Sequence, residues 1–357
     1  MRITITADIH MGVPGRLKDN IWALTRMRQH CVDNGIKHII ILGDLLHDRE
    51  QLRIEDLNAL VAFLIETDEK YGITVIAFPG NHDMYLKNSW DINSLKPLVR
   101  YLKSYHKVSA IKLGGIRFWI VPFVHYESEY MKILENVYKQ HQESDVLLTH
   151  IGVKSASLNA CFLLKCWSIV DFTDSPFDRV YAGHFHIHQQ VGHNVWYPGS
   201  PVPFRFDEGD AEHGFFVFDT DTRTHEFINL WDGAGDDAPP LLWTVDDADL
   251  KSVNECKIKG NVIRVVLSHD YTHNQLSDMR KSLQNRGAKD VRWMHLASKE
   301  EKQSIEAATA AASAADLFKR FVEADGEGTK DLDTALLLKF NSVIVADGDR
   351  RYLESES

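Results

Sequence analysis

The chain has 357 residues, of which 44% are hydrophobic and 25% are charged, and its formal net charge is −11. These proportions are typical of globular proteins and argue against a disordered chain, and no apolar run approaches the ~20 residues that a membrane-spanning helix needs. The negative charge argues against a protein that binds DNA with its whole surface, but it leaves room for a local basic patch.

The cysteines and the first residues indicate where the protein works. The four cysteines form no paired framework, so we expect reduced thiols. Cys161 and Cys166 are better explained as small buried side chains than as half of a zinc site. The residues from Met1 to Thr6 do not lead into a signal-peptide core. We therefore expect a cytoplasmic protein that contacts no membrane.

Along the first 230 residues, short β-branched runs alternate with longer amphipathic ones. The short runs predict strands that are buried on both faces. They are Arg2–Thr6, His38–Leu42, Thr74–Phe78, Phe118–Pro122, Val146–Thr149 and Arg179–Ala182. Apolar residues three and four positions apart predict helices over Asn20–Asn34, Ile54–Tyr71 and Glu127–Gln140. The alternation indicates an α/β layered domain.

Shorter segments then add to this domain before the composition changes. Val195–Tyr197, Gly214–Asp219 and His225–Leu230 look like antiparallel additions to the sheet. Asp232–Asp249 has six aspartates, two prolines and no basic residue, which indicates a boundary and a connector.

The chain beyond the connector predicts a small unit and a helical tail. The unit is strand–helix–strand, over Asn261–Leu267, Thr272–Asn285 and Asp290–Leu296. Between Lys251 and Ala297, nine basic and four acidic residues give it a net charge of +5. Ser304–Ala324 is rich in alanine and predicts a helix, and Leu332–Val345 predicts a second one. We therefore divide the chain into a main domain, a linker with a capping domain, and C-terminal helices, at 1–230, 231–297 and 298–357.

Five short polar motifs each follow a predicted strand. They are Asp8-Ile9-His10, Gly43-Asp44, Gly80-Asn81-His82-Asp83, Thr149-His150 and Gly183-His184-Phe185-His186. Each motif alone occurs by chance, but five in register place ionisable groups along one rim of the sheet, where open α/β folds assemble their sites. Such a cluster of ionisable groups destabilises the folded state unless its members pair or bind metal, so packing alone explains it poorly.

These residue types suit the hydrolysis of a phosphodiester with two metal ions. Two divalent ions about 3.5–4 Å apart lower the pKa of a bridging water and neutralise the developing charge. The motifs contain aspartates, one asparagine and several imidazoles, a donor set that favours Mn²⁺ or a similar first-row ion over Ca²⁺.

The motifs resemble those of the calcineurin-like metallophosphoesterase superfamily, and residues 1 to about 230 are similar to it throughout. The resemblance implies an α/β core of two layered sheets. It also implies two divalent ions with these ligands: Asp8, His10 and His186 at one ion, Asn81, His150 and His184 at the other, and Asp44 bridging both. His82 would protonate the leaving oxygen without binding metal, and Asp83 would orient it.

The residues after Asp44 indicate a branch of the superfamily. Related protein phosphatases carry an aspartate three residues later, where this chain has His47. The Gly-Asp-x-x-His pattern, with Gly-Asn-His-Asp and Gly-His-Phe-His, resembles the SbcD-type DNA repair nucleases, as do Tyr197–Pro201 and Phe206–Glu208. The length is similar to the compact versions that large bacteriophages encode, which would act in the host cytoplasm. His47 would help to position a DNA end, or it is simply an exposed residue at a helix start.

The resemblance also implies partners. SbcD-type proteins carry a capping domain that touches DNA and C-terminal helices that bind the coiled coil of an SMC-like ATPase, SbcC in that complex, and we expect a homodimer. The unit of charge +5 takes the place of the cap. Its candidate phosphate contacts are Arg280, Lys281, Arg286, Lys289 and Arg292. The alternative is that these residues form an ordinary solvated helix face.

The sequence leaves three functions open. We favour a Mn²⁺-dependent DNA nuclease of an SbcCD-like repair and recombination complex, an exonuclease on duplex ends and an endonuclease on single strands. The alternative is a stand-alone small-molecule phosphodiesterase or phosphatase, which has no need of a basic cap and extra helices. A scaffold without catalysis is disfavoured, because every site position carries a competent residue type.

Overall fold

The computed structural model describes residues 1–156, 169–209 and 211–295. The predicted C-terminal helices, together with Cys161 and Cys166, lie outside the described residues. The described residues within 1–265 and 271–293 form one compact unit, which contains the whole of the candidate site.

The helices of the main domain form where apolar residues recur at helical spacing. In the described chain the helices are α1 (Leu17–Asp33), α2 (Ile54–Glu69), α3 (Glu127–Tyr138), α4 (Glu255–Ile258) and α5 (His273–Asn285). The three predicted for the main domain are confirmed to within one turn. None of the helices in the described residues is both long and apolar enough to cross a bilayer.

Two six-stranded sheets form the centre of the main domain. The first consists of β1 (Arg2–Thr6), β2 (His38–Ile41), β3 (Thr74–Ala77), β4 (Lys103–Ser104), β13 (Gly214–Asp219) and β14 (Thr224–Asn229). The second consists of β5 (Ser109–Leu113), β6 (Ile116–Val121), β7 (Val146–His150), β10 (Val180–Gly183), β11 (Gln189–Val191) and β12 (Val195–Tyr197). A parallel pair, β8 (Gly152–Val153) and β9 (Ile169–Val170), is separate from both.

The strand order explains how the motifs reach one place. The first sheet runs β14-β13-β1-β2-β3-β4 and the second β11-β12-β10-β7-β6-β5. β1, β2 and β3 are parallel, and so are β6, β7 and β10, so the residues that follow each group lie at one edge of its sheet. β13 and β14 add antiparallel strands, as predicted. The same prediction is wrong for β12, because the chain reverses through β11 and β12 then pairs with β10 in parallel.

Apolar residues fill three layers around the two sheets. Side chains such as Ile5, Ile40 and Phe118 form the core between the sheets. Leu24 of α1 and Leu64 of α2 belong to the core on the outer face of the first sheet, and α3 covers the second. The order is therefore helix, sheet, sheet, helix, which confirms the predicted α/β fold of two layered sheets.

A third sheet lies in the predicted capping region and is called the cap sheet below. It consists of β15 (Leu242–Asp246), β16 (Val262–Leu267) and β17 (Asp290–His295), in that order. Between β16 and β17, α5 begins with a capping box in which Thr272 and Gln275 bond each other's backbone. β15 corrects the prediction of a connector over Asp232–Asp249: Leu242 and Val245 are buried, and their burial outweighs the acidic composition.

Candidate metal centre

The polar motifs meet at the carboxyl ends of strands from both sheets, instead of one sheet as predicted. In the first sheet the motifs follow β1, β2 and β3, and in the second they end β7 or follow β10. Nearly all of the side chains are buried or half-buried. The contacts below bring together all the predicted site residues, which are Asp8, His10, Asp44, His47, Asn81, His82, His150, His184 and His186.

The backbone turns sharply where the motifs leave their strands. Asp8, His10, Asp44 and His184 have φ angles of 54°, 48°, 50° and 105°. L-residues seldom adopt this left-handed region, and each instance costs on the order of 1–3 kcal/mol. Backbone strain concentrated in one cluster is typical of a functional site that the surrounding fold stabilises.

Two motif glycines are required by close contact between loops. A Cβ on Gly80 would lie 2.2 Å from Oδ1 of Asp44, and one on Gly183 would lie 2.2 Å from the carbonyl oxygen of Leu42. The Gly183 methyl would also be 2.8 Å from Nδ1 of His150. The glycines therefore let neighbouring motifs approach closely enough to share one site.

One group of donor atoms lies next to β1 and β10. Nε2 of His10 is 3.0 Å from Nε2 of His186. The Asp8 carboxylate accepts from the backbone N–H of His184 at 3.0 and 3.1 Å. Asp8, His10 and His186 each offer a ligand atom, and these atoms lie within 4.8 Å of one another.

A second group surrounds Asn81. Its Oδ1 is 3.0 Å from Nε2 of His150 and 2.7 Å from Nδ1 of His184. Nδ1 of His150 donates to the carbonyl oxygen of Leu42 at 2.7 Å, because a carbonyl oxygen only accepts. That bond fixes the His150 ring and leaves its Nε2 facing Asn81 and Asp44.

Asp44 lies between the two groups. Its Oδ2 is 3.3 Å from Nε2 of His150 and 3.7 Å from Nε2 of His10. Its Oδ1 accepts from the backbone N–H of His82 at 2.8 Å. One buried carboxylate thus reaches a histidine of each donor group.

Burial and mutual charge set the protonation of the cluster. Burial raises the pKa of Asp8 to about 6 and lowers that of His184 to about 3. Burial, with His82 next in importance, holds the pKa of His10 well below its usual value. Burial also opposes charge on His150, yet Asp44 raises the pKa of His150 to about 9. His10 and His184 are therefore neutral imidazoles, the form that binds metal.

A family model covers this region of the chain. The model for the calcineurin-like phosphoesterases matches residues 1–188, more than half of the sequence. The chain belongs to this family. Calcineurin-like phosphoesterases are metal-dependent phosphoester hydrolases, and the motifs that follow β1, β2, β3, β7 and β10 lie within the match.

Two viral proteins are among its relatives. The chain is 26% identical over 245 residues to exonuclease subunit 1 of Enterobacteria phage T4, and the match covers 64% of this chain and 67% of that protein. It is also 26% identical over 230 residues to the putative phosphoesterase 244L of Invertebrate iridescent virus 6, with 61% and 78% covered. Both relatives are distant.

The donor atoms of the cluster suit the divalent ions that the family uses. Carboxylate oxygens and imidazole nitrogens converge in the sets Asp8–His10–His186 and Asp8–Asp44–His150. Mixed nitrogen and oxygen ligands are typical of first-row divalent metals, whereas Ca²⁺ prefers oxygen alone. A third set of convergent nitrogens, His10–His47–His82, lies beside them.

His47 and His82 form a pair next to the donor groups. Their rings stack with centroids 5.3 Å apart and an interplanar angle of 13°. Nδ1 of His82 donates to the carbonyl oxygen of His47 at 2.6 Å, and Nδ1 of His47 is 3.3 Å from Nδ1 of His10. The hydrogen bond to the His47 carbonyl and the stacking on the His47 ring therefore set the orientation of the His82 ring.

Among the described residues, the hydrogen bonds of the Asp83 carboxylate do not include the His82 ring, which Asp83 was expected to orient. Its carboxylate accepts from the backbone N–H groups of Leu45, Leu46 and Gly80 at 3.0–3.3 Å, and from Oγ of Ser94 at 3.1 Å. Burial, with Asp44 next in importance among the causes, raises the pKa of Asp83 to about 6. Asp83 fastens the loops that carry Asp44 and His82, in place of the predicted orientation of the His82 ring.

Sequence reasoning gave no role to Glu208. This residue is fully buried, and its Oε1 is 2.9 Å from Nδ1 of His186. Phe206–Glu208 contributed to the resemblance only as a motif. A glutamate 22 residues from its histidine gives no local signal of contact, so only the fold reveals the pair.

Two of the basic residues proposed to contact phosphate bind the protein's own backbone. Arg286 donates to the carbonyl oxygen of Val253 at 2.9 Å and to Oε1 of Glu255 at 2.8 Å. Arg280 donates to the carbonyl oxygen of Val291 at 3.1 Å. These arginines stabilise the capping region, and their basic charge alone is weak evidence for DNA contact.

Proposed function

We propose that the chain is the nuclease subunit of a DNA break-processing complex and hydrolyses DNA phosphodiesters with two Mn²⁺ ions. The observation that carries the proposal is Asp44, whose Oδ2 lies 3.3 Å from His150 and 3.7 Å from His10, one histidine from each donor group. A carboxylate in this position suits a bridge between two ions. The distant relative from phage T4 is named as an exonuclease subunit, which supports DNA as the substrate class.

In this proposal each donor group holds one ion. Asp8, His10 and His186 hold the first, Asn81, His150 and His184 hold the second, and Asp44 contacts both. When bound, the ions supply an activated water and offset the charge that develops on the phosphate. The protein's own residues hold the donors in place, through the Leu42 carbonyl behind His150 and Glu208 behind His186.

His82 is proposed as the general acid. Because its Nδ1 hydrogen is bonded to the His47 carbonyl, its Nε2 is the atom that can give a proton to the leaving oxygen. The stacked ring of His47 keeps His82 in this orientation and, in the proposal, helps to place a DNA end.

The partner assignments extend the proposal to the rest of the chain. Residues 298–357 would bind the coiled coil of an SbcC-like SMC ATPase, and two copies of the chain would work together on duplex ends. The capping region would contact DNA. Single-strand cutting would need only the main domain, whereas processive degradation of duplex ends would need the ATPase.

Cleavage assays on defined DNA test the proposal. Linear duplex and circular single-stranded DNA are incubated with the full chain and Mn²⁺, with and without a candidate ATPase. We expect basal single-strand cleavage and ATPase-stimulated degradation of the duplex. Hydrolysis of bis(p-nitrophenyl) phosphate with both DNAs left intact would instead favour a small-molecule phosphodiesterase.

A further inference from the structure

A short helical turn, Phe206–Glu208, connects the cap sheet with the candidate metal centre. On one side the turn contacts His186, and on the other it contacts β15, β16 and β17. The residues of the turn follow β12 in the chain and belong to neither six-stranded sheet. The turn is therefore a physical link between the two regions.

On the metal side, every oxygen of the Glu208 carboxylate has a hydrogen-bond partner. Oε1 is 2.9 Å from Nδ1 of His186 and accepts from Nε of Arg205 at 3.1 Å. Oε2 accepts from the backbone N–H groups of Phe204 at 2.7 Å and Arg205 at 3.3 Å. A fully buried carboxylate with both oxygens bonded has one orientation, so it fixes the ring that it contacts.

Fixing the His186 ring also fixes its other nitrogen. Nε2 of His186 faces Nε2 of His10 at 3.0 Å, at the centre of the first donor group. A carboxylate that accepts from the far nitrogen of a metal-binding histidine sets the ring orientation and raises the basicity of the near nitrogen. Glu208 therefore has the position and the chemistry to set how strongly His186 binds an ion.

On the cap side, two arginines lie over the Phe206 ring. Cζ of Arg264 in β16 is 4.7 Å from the ring centroid, and Cζ of Arg292 in β17 is 5.6 Å from it. Nε of Arg264 also donates to Oγ1 of Thr244 in β15 at 3.2 Å. A guanidinium over an aromatic face is attracted to the ring, so β16 and β17 hold Phe206 directly and β15 holds Arg264 in place.

The backbone on either side of Glu208 is equally confined. A Cβ on Gly209 would lie 1.7 Å from the carbonyl oxygen of Leu242 in β15. Nε2 of His213 is 3.1 Å from the carbonyl oxygen of Glu208, and the ring is buried. A shift of the cap sheet against the main domain would therefore move the residues that carry Glu208.

The second donor group is held by different contacts. His150 is fixed by the Leu42 carbonyl, and His184 and His150 both contact Asn81. These partners lie at the ends of strands in the main domain and do not include the Phe206–Glu208 turn. A change in the turn should therefore act on the first group selectively.

We propose that Glu208 is the positioning residue of His186 and that the cap sheet controls it through Phe206, so that displacement of the cap loosens one metal site and leaves the other intact. The inference deepens the proposed function and rests on its two metal sites. It gives the capping region a task besides contact with DNA, because a cap moved by a partner or by substrate would change the metal content of the centre.

Metal titration of the full chain tests the inference without an activity assay. Mn²⁺ binding is followed by calorimetry and by the electron paramagnetic resonance of free Mn²⁺. For Glu208→Ala we expect one site weakened about 10–100-fold and the other unchanged. Glu208→Gln should lose less, because the amide oxygen still accepts from His186. Phe206→Leu should weaken the same site by a smaller factor.

Matched variants separate positioning from loss of fold. Glu226→Gln changes an exposed glutamate on β14 and should bind both ions as the parent does. Asn81→Ala should weaken the other site, which identifies the two binding steps. Circular dichroism and thermal melting show whether each variant is folded. If Glu208→Ala does not fold, Glu208→Gln and Phe206→Leu still test the positioning role.

The outcomes distinguish this inference from the proposed function. If the parent chain takes up two ions and the Glu208 variants match it, the positioning role is overturned and the two-metal centre stands. Equal weakening of both sites also overturns it, because that result indicates a general structural role. If Phe206→Leu binds as the parent does while Glu208→Ala loses one site, control by the cap is overturned. A parent that binds no Mn²⁺ overturns both proposals.

Discussion

The backbone N–H of His82 donates to Oδ1 of Asp44 at 2.8 Å, while the second oxygen of the same carboxylate faces His150 and His10. The residue proposed to bridge the ions is thus tied to the residue proposed to donate the proton. This hydrogen bond uses the backbone of His82 and does not involve its imidazole. Side-chain substitutions at the two positions should therefore separate metal binding from catalysis.

Asp44→Ala should abolish the binding of both ions, because one carboxylate is proposed to serve both. Asn81→Ala and His186→Ala should each weaken mainly one ion. Calorimetric titration with Mn²⁺ measures the number of sites in each variant. Two undiminished sites in the Asp44 variant would remove the bridging assignment.

His82→Asn should retain the ions and DNA binding but lose roughly 10²–10⁴ in rate, the usual contribution of a general acid. The measurements are Mn²⁺ titration and single-turnover cleavage of single-stranded DNA. His47→Ser is the companion variant and should impair duplex-end degradation more than single-strand cutting. Loss of metal in the His82 variant would show that His82 is a ligand and that its assigned role is wrong.

The fold was predictable where burial and periodicity agree. The strands β1, β2 and β3 are runs of β-branched residues buried on both faces, and the helices α1 and α2 repeat apolar residues at helical spacing. The predicted bounds of these strands and helices therefore lie close to the observed ones. β15 was missed because its acidic neighbours suggested a connector, although burial of Leu242 decides its structure. The parallel pairing of β12 was missed because strand direction depends on the intervening β11, which the sequence pattern did not reveal.

The candidate site was predictable to the extent that its residues lie in motifs. Residues that follow parallel strands share an edge, so Asp8, Asp44 and His150 were expected to be neighbours, and they are. Their supports were not predictable, because Glu208 and the Leu42 carbonyl reach the site only through the fold. The division of the motifs between two sheet edges was also missed, since alternating strands and helices do not say which strand belongs to which of the two sheets that the resemblance implied.

Gly183→Ala should disrupt the centre through packing alone. The new methyl would meet the Leu42 carbonyl at 2.2 Å and Nδ1 of His150 at 2.8 Å, so both must move. We expect a loss of about 1–3 kcal/mol in the free energy of unfolding and weaker Mn²⁺ binding at the His150 site. Denaturant unfolding and metal titration measure the two effects. Gly235→Ala, where a Cβ meets nothing within 4 Å, is the control.

Asp145 joins β6 to the turn before β7. Its carboxylate is buried and accepts from Nε of Arg117 at 3.0 Å, from Nε1 of Trp119 at 2.9 Å and from the backbone N–H of Gln142 at 3.0 Å. Burial alone would raise the pKa of Asp145, but these hydrogen bonds, led by Arg117, lower it overall. The ionised carboxylate therefore stabilises the fold.

Asp145→Asn should lower the free energy of unfolding by about 2 kcal/mol at neutral pH, because it leaves the half-buried Arg117 guanidinium without its charged partner. Since the folded pKa lies below the unfolded value of about 3.9, the contribution is complete above that value and is lost as the pH falls through the folded pKa. The difference between parent and variant should thus be constant from pH 5 to 7 and shrink below about pH 4. Urea unfolding at several pH values measures this difference.

Glu143→Gln removes the same charge from an exposed neighbour and should change stability by less than about 0.5 kcal/mol. A difference that grows towards low pH would contradict the assigned stabilisation, because it would mean that the protonated carboxyl is the form that the fold prefers.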